Sequence, residues 1–328
     1  MKSRIKLTKK KVFIISAIVA IMVLGGVIWW FIPYFHVLQG RDKHAGYKYY
    51  IEKDMIYLSG YMGSEKIVHV PKRLKGRKVV IDSYCFAGTN VEEVYIPLTV
   101  EMKDSAFRLC DKLRKVQGSS NRIIYSTTFA KDECLEEVSF GNEIESIERG
   151  AFMGCKRLKS IDFIETVKYL NSTAFTDTAV EEIPVMENLE YVGSYVFKGT
   201  PWEEKQEGDF IVVDSTLQLY KGLEEIVHIP EGVTAIRAAF RYREEEEYPI
   251  QVKEVYIPSS VKSLGRNIFD GQESVKIYIP NSVTEIEVID GKTYAMEGNV
   301  KIITTSGSYA EEYAREYGVE YEIVDGWD

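Results

Sequence analysis

One residue type keeps time along this chain. Phe86, Phe107, Phe129, Phe152, Phe175 and Phe197 fall 21, 22, 23, 23 and 22 residues apart, and Phe240 follows 43 residues later. A period this short, held this evenly, is the mark of a solenoid. Every unit repeats one order of residue types. An apolar pair such as Val94 and Ile96 is closed by Pro97; a second pair such as Ile144 and Ile147 follows a turn; then comes Ala-Phe and a small or sulfur-bearing residue. The alternation predicts a strand, a turn, a second strand-like segment and one helical turn per coil.

A single coil of this kind cannot bury its own apolar face, so neighbours must stack and equivalent side chains must form ladders. The strand motif occurs nine times, centred on Val68, Val94, Val116, Val138, Ile161, Ile183, Val227, Val255 and Ile277. At ~4.8 Å per stacked strand, about nine coils give a rod roughly 40 Å long. Pro71, Pro97, Pro230, Pro258 and Pro280 follow their strands and lack the donor needed to extend the ladder.

Two stretches interrupt the period. Residues 201–224 carry two alternating runs around Asp214 and Ser215 and lead into "IVHIP", which predicts an inserted β-hairpin. Residues 47–66 have the same design and lead into "IVHVP", so the two elements read as an internal duplication, the first capping the start of the rod. The charged run "RYREEEEYPIQ", residues 241–251, reads as a solvated loop. At the far end, Ser308 stands three residues before Glu311 and Gly318 ends the run, a capped helix whose Ala310, Tyr313, Ala314 and Tyr317 share one face. These tyrosines read as packing residues, and "VEYEIV" after them as a final strand.

The recurring "LEEVSFGNEIESIERGAFMGC" pattern, its variant "VKEVYIPSSVKSLGRNIF", "FKGTPW" before the hairpin and the "GSYAEEYAREYG" ending together resemble the BspA-like leucine-rich repeat proteins of bacterial surfaces, many of them Gram-positive. The resemblance covers residues 47–324 and implies a leucine-rich repeat solenoid acting as an adhesin or binding protein. One coil, "KVQGSSNRIIYSTTFAKDEC", departs from the pattern: it lacks the strand's second apolar residue and its proline, which predicts a distortion there.

The amino terminus has another character. Lys2, Arg4, Lys6, Lys9, Lys10 and Lys11 precede 21 uncharged residues from Val12 to Ile32, long enough as a helix to span roughly 31 Å at ~1.5 Å per residue. The positive-inside rule places the tail in the cytoplasm and the body outside, with Trp29, Trp30 and Tyr34 at the outer interface. A cleaved signal peptide is the competing reading, but its apolar region is usually only ~7–15 residues and ends at an A-x-A-like site, which is missing here. Beyond residue 40 there remain 35 Lys and Arg against 50 Asp and Glu, a body near −15, which disfavours nucleic acid and anionic lipid as partners. The expected organisation is a basic tail (1–11), a transmembrane anchor (12–32), an aperiodic tether (33–46), a capping hairpin (47–66), repeat coils (67–200), the inserted hairpin (201–224), further coils (225–299) and a helix-strand cap (300–328).

Nothing in the chain spells out catalysis. There is no HExxH, GxSxG, phosphate-binding glycine loop or EF-hand pattern, and no catalytic residue, cofactor or metal site is expected. The paired glutamates before the strands (Glu92 and Glu93, Glu136 and Glu137, Glu181 and Glu182) fit a solvated solenoid edge. Of the four cysteines, Cys110 and Cys155 hold the same repeat position two coils apart, ~10 Å by stacking distance and beyond the ~7 Å reach of a disulfide. Only Cys110 with Cys134, one coil apart, has a spacing that allows a bridge; buried small ladder residues are the competing reading.

If the function is binding, the informative side chains lie between the two inward positions of each strand: His69, Tyr95, Gln117, Ser139, Asp162, Pro184, His228, Tyr256 and Tyr278. His69, Tyr95, His228, Tyr256 and Tyr278 are the candidate binding face, since such rings pair flat apolar area with a polar tip. Exposed tyrosines also arise from β propensity alone. Beside them runs a charged row, Glu93, Lys115, Glu137, Glu182, Glu254 and Lys276, suited to steering a basic partner or to solubility. A protein ligand is the first expectation; a carbohydrate or cell-wall ligand and a plain structural spacer are the alternatives.

Overall fold

The computed structural model describes residues 38–42, 46–141, 143–240, 251–288, 296, 300–324 and 326. The proposed anchor, residues 12–32, and most of the charged loop lie outside them. Among the described residues no helix is long and apolar enough to cross a membrane.

The chain winds into a β-solenoid of about eleven turns, and the phenylalanines are its spine. Phe86, Phe107, Phe129, Phe152, Phe175 and Phe197 stack face to face with centroids 4.9–5.5 Å apart, each essentially buried. The backbone beside each ring closes the same spacing: Phe86 N–H donates to the Ala106 carbonyl, Phe107 to Thr128 and Phe129 to Ala151. A side chain this large, buried in every coil and stacked on its own kind, gains apolar burial and ring contact together.

Two β-ladders flank this spine. The front ladder is parallel and comes in two sheets. Ile67–His69, Glu93–Ile96, Lys115–Gly118 and Glu137–Ser139 form the first; Ile226–His228, Glu254–Tyr256, Val275–Tyr278, Val300–Thr304 and Glu320–Ile323 form the second. Their register pairs Val68, Val94, Val116 and Val138 in one row and Val227, Val255, Ile277 and Ile302 in another. The side ladder has two-residue strands at Ile123–Ile124, Ser146–Ile147, Tyr169–Leu170 and Tyr191–Val192, then the five-residue Thr216–Tyr220, followed by two-residue Ala235–Ile236, Ser263–Leu264 and Glu285–Ile286. The carboxy-terminal helix, Tyr309–Tyr317, is capped as its sequence specifies: Ser308 accepts from the Glu311 N–H, and Gly318 ends it in the left-handed region. Ala310, Tyr313 and Ala314 are buried against the last coils, and Tyr317 is half-buried.

Four expectations need correction. Residues 38–42, read as part of an aperiodic tether, form a strand antiparallel to Tyr47–Glu52 and extend the capping sheet. Two of the nine strand motifs are not strands. Around Ile161 the chain makes a 3-10 turn, Asp162–Ile164, because the Phe163 ring packs against Phe140, Phe152 and Phe175. Around Ile183 no strand forms, since Pro184 stands where other strands carry Tyr95 or Tyr256 and removes the ladder donor. The coil lacking its second apolar residue is, by contrast, intact. Gly118 fills that position at φ +102°, where a Cβ would overlap the Ile96 carbonyl oxygen. Buried Asn121 then ties its turn to the coil before, accepting from Met102 N–H at 2.9 Å and donating to Met102 O at 3.0 Å.

The inserted hairpin is the fourth. Phe210–Val213 and Thr216–Tyr220 do pair antiparallel, after a short helix Pro201–Glu204, but the element is also a coil of the solenoid. Tyr220 N–H donates to Ala239 O as the phenylalanines do, and its ring stands 5.5 Å from Phe240. Tyr61 plays the same part in the first hairpin, donating to Cys85 O with its ring 5.2 Å from Phe86. Tyrosine in place of phenylalanine hid both coils from the phenylalanine series, although their strands at Val68 and Val227 were counted. The four cysteines are free. Cys134 lies off the ladder, since Asp132 occupies the place adjacent to Cys110, so the proposed Cys110–Cys134 pair has no common position.

Candidate functional site

Strand alternation turns every second side chain of the front ladder outward, and register sets which of them meet. Tyr95 lies opposite His69 on one side and Gln117 on the other, with Ser139 beyond. In the second sheet His228, Tyr256 and Tyr278 stand side by side, followed by Ile303. All five candidate residues therefore lie on the front ladder, but in two groups. Asp162 and Pro184, expected to join them, are not on strands.

Within each group the rings stack. His69 and Tyr95 are 4.8 Å apart and 12° from parallel; His228 and Tyr256 are 4.4 Å apart at 11°, Tyr256 and Tyr278 4.1 Å apart at 9°. The duplicated "IVHVP" and "IVHIP" elements thus place each histidine on the same edge strand against the same tyrosine. The hydroxyls are anchored: Tyr95 donates to Glu93 Oε2 at 2.8 Å and Tyr256 to Glu254 Oε2 at 2.9 Å. Hydrogen bonding to Glu93 raises the Tyr95 pKa, and hydrogen bonding to Tyr278, then desolvation and Glu254, raises that of Tyr256. Both phenols stay neutral at physiological pH.

Most of the charged row beside the rings is ion-paired. Lys115 reaches Glu137 at 2.7 Å, Arg114 reaches Glu93 at 3.4 Å, and Lys276 reaches Glu254 at 3.5 Å. Exposed pairs of this sort contribute ~0–1 kcal/mol each, but they cancel the field that a row of one sign would project.

A groove of about 450 Å³ opens over the first sheet, floored by Tyr95, Gln117 and Ser139 and walled by Pro97, Leu98 and Phe140. Leu98 is 62% exposed and lies over Gly141, where any Cβ would strike its side chain. Sequence reasoning missed Leu98, Phe140 and Gly141. The signal for Leu98 was an apolar residue directly after the strand-ending proline, a position that period-two counting does not reach.

The repeat pattern, its ladders and its caps now meet a sequence comparison. The profile of the BspA type leucine rich repeat region matches six copies, over residues 79–202 and 220–308, more than half of the chain. The chain belongs to the BspA type leucine rich repeat family. Among solved structures it is similar to a leucine rich cell surface protein from Faecalibacterium prausnitzii A2-165, at 17% identity over 84% of this chain and 97% of that one, TM-score 0.41. The pneumococcal vaccine antigen PcpA is 13% identical over 88% and 99%, TM-score 0.36. The Treponema pallidum leucine rich repeat protein is 13% identical over 88% and 100%, TM-score 0.27. No curated protein matches the chain.

Proposed function

We propose that this protein is held at a bacterial cell surface by residues 12–32, with its amino terminus in the cytoplasm and its solenoid outside, and binds a protein ligand on the front ladder without chemistry of its own. The observation that carries the reading is the stacking of His228, Tyr256 and Tyr278. Their orientations are already fixed by each other and by Glu254, so little rotamer freedom remains to be lost on docking. Such rigid rings with polar tips suit the centre of a protein interface.

The same geometry favours a protein over a carbohydrate on this face. A sugar ring stacks on an aromatic face, and here the faces are turned to one another, leaving edges and hydroxyls outward. The groove beside Tyr95, with exposed Leu98 and half-buried Phe140, adds a place for an apolar anchor. A passive spacer would have no use for such a groove.

The test is affinity capture by the full chain, in mild detergent, from whole cells and from extracellular-matrix and cell-wall extracts, with mass spectrometry of what is retained. A specific protein retained by wild type and lost by folded Tyr256→Ala/Tyr278→Ala supports the assignment. Retention by the folded double variant sinks these residues, and enrichment of polysaccharide without protein sinks the ligand class.

A further inference from the structure

On the side ladder, away from the front sheets, the seam after the inserted hairpin holds a buried cation that has no counterion among the described residues. Arg237 is 6% exposed. Its Nη1 donates to Ile236 O and its Nη2 to Ser263 Oγ, both at 3.1 Å, while its guanidinium lies 5.6 Å from the Tyr191 ring centre. Among the described residues no carboxylate pairs with it, and its buried Nε has no hydrogen-bond partner. The position one step along in register, after the paired Leu217 and Ile236, is Gln218, whose amide is buried with neither atom hydrogen-bonded. Burying a guanidinium against neutral acceptors is costly unless an anion arrives to share it.

Arg237 lines a cleft of about 360 Å³, toward the small end of the ~300–1,000 Å³ usual for small-ligand sites. Ser215 and Thr234 line it too, their hydroxyls 2.7 Å apart, and Lys262 adds a second cation. Its carboxylates are Glu190, Asp214 and Glu285, which repel a multiply charged anion yet accept hydrogen bonds from hydroxyl groups. We infer that this cleft binds a hydroxylated monocarboxylate, an acidic sugar of the uronic acid class. The carboxylate takes the side of Arg237 and Lys262, and the sugar hydroxyls take Asp214, Ser215 and Thr234. One guanidinium for a single negative charge, with hydroxyls and carboxylates around the rest, is the chemistry of that class.

Isothermal titration of the full chain in mild detergent with D-glucuronate, D-glucose, acetate and inorganic phosphate tests this directly. Saturable glucuronate binding is expected, with glucose and acetate each weaker by roughly tenfold or more. Arg237→Met, which keeps the stem over Tyr191 but removes the charge, should abolish it. No glucuronate binding, equal binding of glucose, tighter binding of phosphate, or undiminished binding by Arg237→Met would each overturn the inference. Should Arg237→Met fail to fold, Thr234→Val changes only an exposed hydroxyl. It is expected to weaken glucuronate by roughly fivefold at an unchanged melting temperature, and unchanged affinity would count against the site.

Discussion

Asp132 offers a sharp thermodynamic test of the ladder. It stands three residues beyond Phe129, where other coils carry Cys110, Cys155, Thr178 and Thr200. Those residues donate to phenylalanine carbonyls: Cys110 Sγ to Phe86 at 3.0 Å, Cys155 Sγ to Phe129 at 3.1 Å, Thr178 Oγ1 to Phe175 at 2.8 Å and Thr200 Oγ1 to Phe197 at 2.7 Å. A carboxylate cannot donate. Asp132 is fully buried; its Oδ1 accepts from the Cys110 N–H at 2.7 Å, and its Oδ2 has no partner. Desolvation drives its pKa well above the usual carboxylate range, Asp111 adds to the rise, and the backbone N–H groups of Cys110 and Leu109 oppose it.

The sign follows from linkage. With the folded pKa above the unfolded ~3.9, the folded chain retains a proton that the unfolded chain has released. The group's contribution is therefore intact below pH ~4 and is lost as pH rises toward the folded pKa, at up to ~1.4 kcal/mol per pH unit. Asp132→Asn keeps the acceptor for Cys110 and cannot ionise. Its stability advantage over wild type should rise from its value at pH ~4 with that slope, then level off. Cys110, whose pKa is pushed up to about 12, first by desolvation and then by Asp132, stays a thiol throughout. Urea denaturation of both proteins at unit steps from pH ~4 to ~8 is the assay, and parallel stability curves would refute the reasoning.

Two substitutions test the packing. Phe152→Ala empties a fully buried ring position between Phe129 and Phe175 and should cost ~3–5 kcal/mol in the same denaturation assay, whereas a loss under ~1 kcal/mol would mean the rings are not a common spine. Gly118→Ala meets both a left-handed backbone and the Ile96 carbonyl, while Gly232→Ala meets only the backbone, at φ +94° with nothing near its Cβ position. The first should cost clearly more than the ~1–3 kcal/mol expected for strain alone, and equal costs would show that strand contact at Gly118 is not close.

The solenoid was legible because its period is written in one residue type. Seven of the nine strand motifs read from apolar spacing are strands, and the capped helix followed from Ser308, Glu311 and Gly318. What escaped was decided by substitution within the period. Tyr61 and Tyr220 perform the phenylalanine's task with a different side chain, so a count of phenylalanines passes over them. Phe163 and Pro184 fit the written pattern of a strand, yet tertiary ring packing and a missing N–H prevent the ladder there. The rings of the front ladder could be placed on a face from alternation alone, but their parallel stacking and the groove beside Leu98 depend on register. Arg237 gave no sequence signal at all, because a lone arginine looks the same whether it is solvated or buried against Tyr191.

The most direct measurement of the central claim is hydroxyl-radical footprinting of the full chain with and without its captured protein ligand. Binding at the front ladder predicts that oxidation of Tyr95, Tyr256 and Tyr278 falls on complex formation while that of Tyr169 and Tyr191 on the side ladder does not change. Unaltered oxidation of the three front tyrosines in a saturated complex, with protection elsewhere, would contradict the account.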